Sequence, residues 1–155
     1  MSNFFSYAGA AEPESAPPQR AILGELSSDE WEKFIGYAAR RRYPAGAVVV
    51  EAGSTARLLC VIASGQVEVR SAGAAKNAPR VQRGEGEVFG ILSFLDGAPS
   101  GITASVATAG PAELLMLSPE ALLQLAAWQP RIAVALLRDL GAHVAARLRA
   151  LQPGD

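Results

Sequence analysis

Between Tyr43 and Leu117 the chain is cut by glycine every few residues, and this rhythm of short β-rich runs limits its folds more than any other feature. Ala47-Val48-Val49-Val50-Glu51 is followed by the turn Ala52-Gly53-Ser54, and Leu58-Leu59-Cys60-Val61-Ile62-Ala63 is followed by Ser64-Gly65. Gln66-Val67-Glu68-Val69-Arg70 alternates polar and apolar with a period of two, as a half-buried strand does. A short strand is expected over 80–83 and a core strand over 113–117, with a loop over 71–78. Strands this short, at regular spacing, predict an antiparallel β-sandwich or jelly roll.

The rhythm is helical on both sides. Ser27 and Glu30 have capping-box spacing, and Trp31, Phe34, Ile35 and Ala38 share one face of a helix expected from Ser28. Arg40-Arg41-Arg42 is expected at its end, where cations complement free carbonyls. Ser118-Pro119-Glu120 starts a second helix, which should end near Trp128 before Gln129-Pro130. A longer one runs from Arg131 toward Leu151. Its apolar stripe of Ala133, Leu137, Leu140, Val144, Leu148 and Leu151 serves either as a dimer seam or as packing onto the β-domain, and a homodimer is the expectation taken here. Together these elements give an α+β class: a β jelly roll (double-stranded β-helix) with an N-terminal helix and C-terminal helices. Residues 1–20, rich in Ala, Ser, Pro and Glu, are expected to form a flexible tail, and residues 21–155 a single domain.

The inventory excludes several functions. A net charge of −1 draws in no nucleic acid. One histidine, His143, expected on the polar side of the last helix, cannot build a cupin-like metal site. A haem would need His143 or Cys60, and Cys60 sits in an apolar run. The sequence has no Walker-type loop with lysine and no assignable Ser/His/Asp set, so neither enzyme activity nor a cofactor nor a metal is expected. One cysteine, no signal-like start and no apolar run of membrane-spanning length point to a cytoplasmic protein with no membrane partner.

Residues 84–108 combine a glycine-rich turn, a short apolar segment beginning at Gly90, a Gly/Pro/Ser loop and a strand-like run, which is how a chain builds a cradle of backbone N–H groups. Together with Tyr43-Pro44-Ala45-Gly46, Glu51-Ala52-Gly53, Ser64-Gly65-Gln66-Val67, Gly84-Glu85-Gly86-Glu87-Val88-Phe89-Gly90, Asp96-Gly97-Ala98-Pro99 and Glu113-Leu114-Leu115-Met116-Leu117-Ser118, this stretch resembles the cyclic-nucleotide-binding domain of bacterial catabolite-activator-like regulators, kinase regulatory subunits and gated channels. The resemblance covers about residues 22–152. It implies an N-terminal helical piece, a jelly roll, a C-terminal helix pair and a phosphate-binding cassette reading Phe-Gly-Glu-Leu, a loop, then Pro-Arg-Ser/Thr-Ala. In that family the glutamate takes the ribose 2′-hydroxyl, and the arginine and helix-start N–H groups take the phosphate.

Here Phe89-Gly90-Ile91-Leu92 puts Ile91 at the glutamate position. The arginine position falls on Ser100 without a gap, or on Ile102 if Thr103-Ala104 is matched to the family's Ser/Thr-Ala. No lysine or arginine occurs between Arg83 and Arg131, so both registers lack the cation. Loss of both side-chain anchors removes about 3–6 kcal/mol, which takes a micromolar site to about 0.1 mM or weaker. The candidate pocket comprises Phe89, Gly90, Ile91, Leu92, Ser100, Ile102, Thr103, Ala104 and Ser105. Family transcription factors carry a DNA-reading domain after the long helix, for which this sequence leaves no room. The expected function is a non-enzymatic regulatory module acting on another protein. The alternative is a sensor for an unusual cyclic nucleotide or dinucleotide, its phosphate held by backbone donors or by Arg57, Arg80 or Arg83.

Overall fold

The computed structural model describes residues 21–72 and 80–151. The expected tail, and most of the loop expected over 71–78, lie outside the described residues. Along the chain run α1 (Ser28–Tyr37), β1 (Ala39–Tyr43), β2 (Val48–Val50), β3 (Leu59–Ser64), β4 (Val67–Ser71), β5 (Val81–Arg83), β6 (Val88–Phe89), α2 (Ile91–Asp96), β7 (Ile102–Val106), β8 (Ala112–Leu117), α3 (Pro119–Trp128) and α4 (Pro130–Ala150). The strands form two antiparallel four-stranded sheets, in the orders β1-β8-β3-β6 and β2-β7-β4-β5. This is the expected sandwich with helices at both ends.

The two central strands of the first sheet, β3 and β8, are buried on both faces, which explains why they read as continuous apolar runs rather than alternating ones. Cys60 and Ile62 of β3, with Ala112, Leu114 and Met116 of β8, point between the sheets and meet Val67, Phe89, Ala104 and Val106. Leu59, Val61, Leu115 and Leu117 point the other way. They form a second core with Phe34 of α1, Ile91 and Phe94 of α2, Leu125 of α3, and Ile132, Ala133, Leu136 and Leu140 of α4. The period-two geometry of a strand thus joins a sheet–sheet core to a sheet–helix core.

The helix starts follow their capping chemistry. The Glu30 N–H donates to Ser27 Oγ at 3.1 Å and the Ser27 N–H donates to Glu30 Oε1 at 3.1 Å, completing the capping box. Trp31 stacks on Phe34 with centroids 5.3 Å apart. The Ala121 N–H donates to Ser118 Oγ, with Pro119 in the first turn of α3. The expected position of the arginine triplet is corrected: α1 ends at Tyr37, and Arg40, Arg41 and Arg42 are exposed on β1, paired with β8. The extended conformation of Ala38 ends α1 and starts the strand, so the triplet is part of a sheet and complements no helix terminus.

A turn ahead of α1 ties three parts of the molecule together. The Ile22 N–H donates to the Gly86 carbonyl, and the Leu23 N–H donates to Asp139 Oδ2 of α4 at 2.7 Å. Leu23 holds a left-handed φ of 57° with its side chain buried, a conformation that non-glycine residues take only where surrounding contacts fix it.

Candidate functional site

The cassette begins where β6 ends. Gly90 takes a left-handed φ of 84°, and a Cβ there would lie 2.6 Å from the Leu58 carbonyl oxygen, so glycine is required both for its torsion and for the close approach. This reversal starts α2, whose Phe94 N–H donates to the Gly90 carbonyl. Gly97, also left-handed, closes the helix by donating its N–H to the Ser93 carbonyl at 2.9 Å. The loop that follows leads into β7.

The two faces of α2 differ sharply. Ile91, at the position of the family's glutamate, is 3% exposed and packs with Phe94 in the sheet–helix core, whereas Leu92 is 53% exposed. Phe89 fills the space between the sheets. Both candidate arginine positions are also engaged. Ser100 is buried; its hydroxyl donates to the Ile102 carbonyl at 2.8 Å and its oxygen accepts from the Ile102 N–H at 3.2 Å. Its backbone pairs with the 52–54 turn, through Gly53 N–H to Ser100 O and Ser100 N–H to Ser54 O, each 2.8 Å. Ile102 packs against the sheet–sheet core. Thr103 Oγ1 accepts from the Ala52 N–H at 3.1 Å. Ala104 is fully buried, and Ser105 lies between Val48 and Glu68 in the second sheet.

The arginines considered as substitutes are all held elsewhere. Arg57 donates from Nε to the Ser93 carbonyl at 3.3 Å and from Nη2 to the Phe94 carbonyl at 3.2 Å, and so caps the C-terminal end of α2. Arg80 pairs with Glu68 at 2.8 Å. Arg83 lies 3.7 Å from Glu87 with both side chains nearly buried. Burial lowers the pKa of the Arg83 guanidinium; Glu87 opposes that shift and Arg147 of α4 adds to it. The Arg57 clamp joins residues 36 positions apart, and no local spacing pattern in the sequence signals it.

Cys60 is buried and its thiol is pushed up to about 12 by desolvation, which keeps it protonated and inert at neutral pH. His143 is part-buried on α4, and its Nδ1 donates to the Asp139 carbonyl at 2.8 Å. No grouping of His, Cys, Asp and Glu that could hold a metal ion occurs among the described residues, and no described helix is long and apolar enough to cross a membrane.

The structure divides the apolar stripe expected on α4. Leu140 is fully buried and Ala133 nearly so, both facing this chain's own core, and Val144 packs at the margin of that core. Leu137, Leu148 and Leu151 are exposed by 42%, 56% and 78%. With exposed Val134, Gly141 and Ala145, these residues form a second apolar line in steps of three and four residues.

The family model of the cyclic nucleotide-binding domain matches residues 40–127. Among solved structures, the catabolite activator protein of Thermus thermophilus is 28% identical with a TM-score of 0.72, over 84% of this chain and 59% of that one. The c-di-GMP-responsive global regulator CLP of Xanthomonas campestris is 25% identical with a TM-score of 0.65, over 79% of this chain and 59% of that one. Glutaminase 2 of Bradyrhizobium diazoefficiens is 30% identical over 130 residues, which are 84% of this chain and only 20% of that protein. This chain therefore spans less than two thirds of each. With the strand order, the Gly90 reversal and a match over more than half of its residues, the chain belongs to the cyclic nucleotide-binding domain family.

Proposed function

We propose that this protein is a non-enzymatic regulatory module in which the cassette is a structural part rather than a usual cyclic AMP site, and that it acts through protein–protein contacts in the cytoplasm. One observation carries this reading: the side chains at the anchor positions are already committed to the protein itself, Ile91 and Ile102 to the two cores and Ser100 to its own backbone network. A ligand would have to compete with those contacts without a cassette arginine to reward it. The glutaminase likeness fits a module of this kind, since the match there is confined to about the size of this domain.

The exposed line on α4 is the proposed contact with a second copy. Val134, Leu137, Gly141, Ala145 and Leu148 repeat at close to 3.5 residues, the spacing at which two helices wind together. Leu140 is excluded from that seam because it supports the monomer core.

A second reading is supported by the likeness to a c-di-GMP-responsive regulator. On that reading the ligand is a cyclic dinucleotide held away from the cassette start, by Arg57, Arg80 or Arg83 released from its present partner. Thermal-shift and calorimetric titration with cyclic AMP, cyclic GMP and cyclic di-GMP separates the two. A structural cassette leaves the melting temperature unmoved by every member of the panel. Stabilisation by cyclic di-GMP alone, lost in Arg57→Ala, Arg80→Ala or Arg83→Ala, would replace the first reading with the second.

A further inference from the structure

A sandwich of two open sheets has four edges, and here they are β1 and β6 in one sheet and β2 and β5 in the other. Proteins blunt such edges by keeping them short or bending them with bulges, because a flat edge pairs with any extended chain. Among the described residues three of the edges follow that rule. β6 has 2 residues, β5 has 3, and β2 has 3 with a shift in register between Val48 and Val50. β1 does not. Its 5 residues are all paired with β8 in unbroken register, from Ala39 opposite Met116 to Tyr43 opposite Ala112, and β1 pairs with no other strand among the described residues.

This one long, regular edge also carries Arg40, Arg41 and Arg42, all exposed. Charged side chains, lysine above all, are one of the devices that keep an edge from pairing with a chain at random. Three adjacent arginines instead place cations on both faces of the strand, and the fork of a guanidinium matches a carboxylate with two parallel hydrogen bonds. The triplet is only partly neutralised: Glu113 of β8, the register partner of Arg42, reaches Arg40 at 3.6 Å, and Arg41 and Arg42 have no ion pair among the described residues.

We propose that β1 is a docking edge for an extended acidic segment of another protein, which adds as a further strand of the first sheet. Arg40 and Arg42 lie on one face of β1, about 7 Å apart, and select carboxylates at alternate positions of the incoming strand; Arg41 selects one on the other face. A second copy of this chain does not fit the edge. Antiparallel pairing of β1 with itself sets Arg41 opposite Arg41 and Arg40 opposite Arg42, and like charges directly opposite repel. Nucleic acid fits less well than peptide, because the chain's net charge is −1 and the edge offers strand-pairing backbone groups as well as cations. The inference uses no cassette residue, so its failure leaves the proposed cassette role intact, and the reverse holds too.

The test titrates the full chain with a fluorescein-labelled octapeptide of alternating Glu and Thr, read by anisotropy and by amide shifts in two-dimensional NMR. The expected result is saturable binding that weakens with salt, with shift changes along residues 39–43. Replacing Arg40→Ala together with Arg42→Ala should weaken it by about ten-fold with the melting temperature kept. The proposal is overturned by binding that is absent or unchanged in the double variant, by shifts centred elsewhere, or by equal affinity for an oligothymidylate of the same charge. Slow hydrogen exchange at the outward-facing β1 amides of the free protein would also overturn it, because the edge would then already be covered by the chain itself.

Discussion

Ile91 is the residue on which the cassette turns. In the family's pattern its position belongs to a polar group facing a ligand, and a side chain facing open space would be cheap to truncate. Here it is packed among Phe34, Phe94 and α4, so Ile91→Ala should cost about 2–5 kcal/mol in chemical denaturation, while exposed Leu92→Ala should stay within about 0.5 kcal/mol. Similar small losses at both positions would show Ile91 to be free of the core. That the glutamate is missing is readable from the sequence; that its replacement faces the helices is not, because the direction depends on the left-handed reversal at Gly90 against Leu58.

Cys60 provides a test with a definite sign. Burial raises its thiol from the ordinary 9.0 to about 12, so the folded state keeps a proton that the unfolded chain gives up first. Its contribution is fully present below pH 9 and is lost as pH rises toward 12. Wild type should therefore lose stability relative to Cys60→Ala across that window, by up to about 1.4 kcal/mol per pH unit, as measured by denaturant midpoints at each pH. Parallel pH curves for the two proteins would contradict the burial of this thiol.

Among the elements, strands and helix starts were the most legible, because their signals are local: glycine turns, alternation in β4, the capping box at Ser27 and the Ser118-Pro119 start. The strand position of Arg40-Arg41-Arg42 is not legible from its neighbours along the chain, because it depends on pairing with β8 some 70 residues away. The α4 stripe was blurred for a related reason. A 21-residue helix with apolar side chains on two sides satisfies three- and four-residue spacing twice, and only the packed structure separates Leu140 from Leu137. The two lines should respond differently to a carboxylate. Leu137→Asp with Leu148→Asp should abolish self-association in sedimentation equilibrium and leave the fold intact. Leu140→Asp should cost more than about 4 kcal/mol, because it buries an unpaired charge. A wild type that stays monomeric at high concentration would remove the seam from the account.

In the whole molecule, the buried centre of the first sheet connects two cores, and the cassette spans both: Phe89 lies in one and Ile91 in the other. The turn at Ile22 and Leu23 ties the β5–β6 connection to Asp139 of α4, so the connection leading into the cassette and the helix carrying the proposed seam are joined by hydrogen bonds. The missing cations are legible from the order of residues between Arg83 and Arg131, whereas Ser100's closed hydrogen-bond circuit and Arg57's hold on the far end of α2 depend on the folded geometry.

The central claim is that the cassette keeps a nucleotide-binding shape without nucleotide-binding chemistry, and isothermal titration of the folded wild type with cyclic AMP tests it most directly. The expected result is no saturable heat below about 0.1 mM nucleotide. Saturable micromolar binding at one site per chain would contradict it.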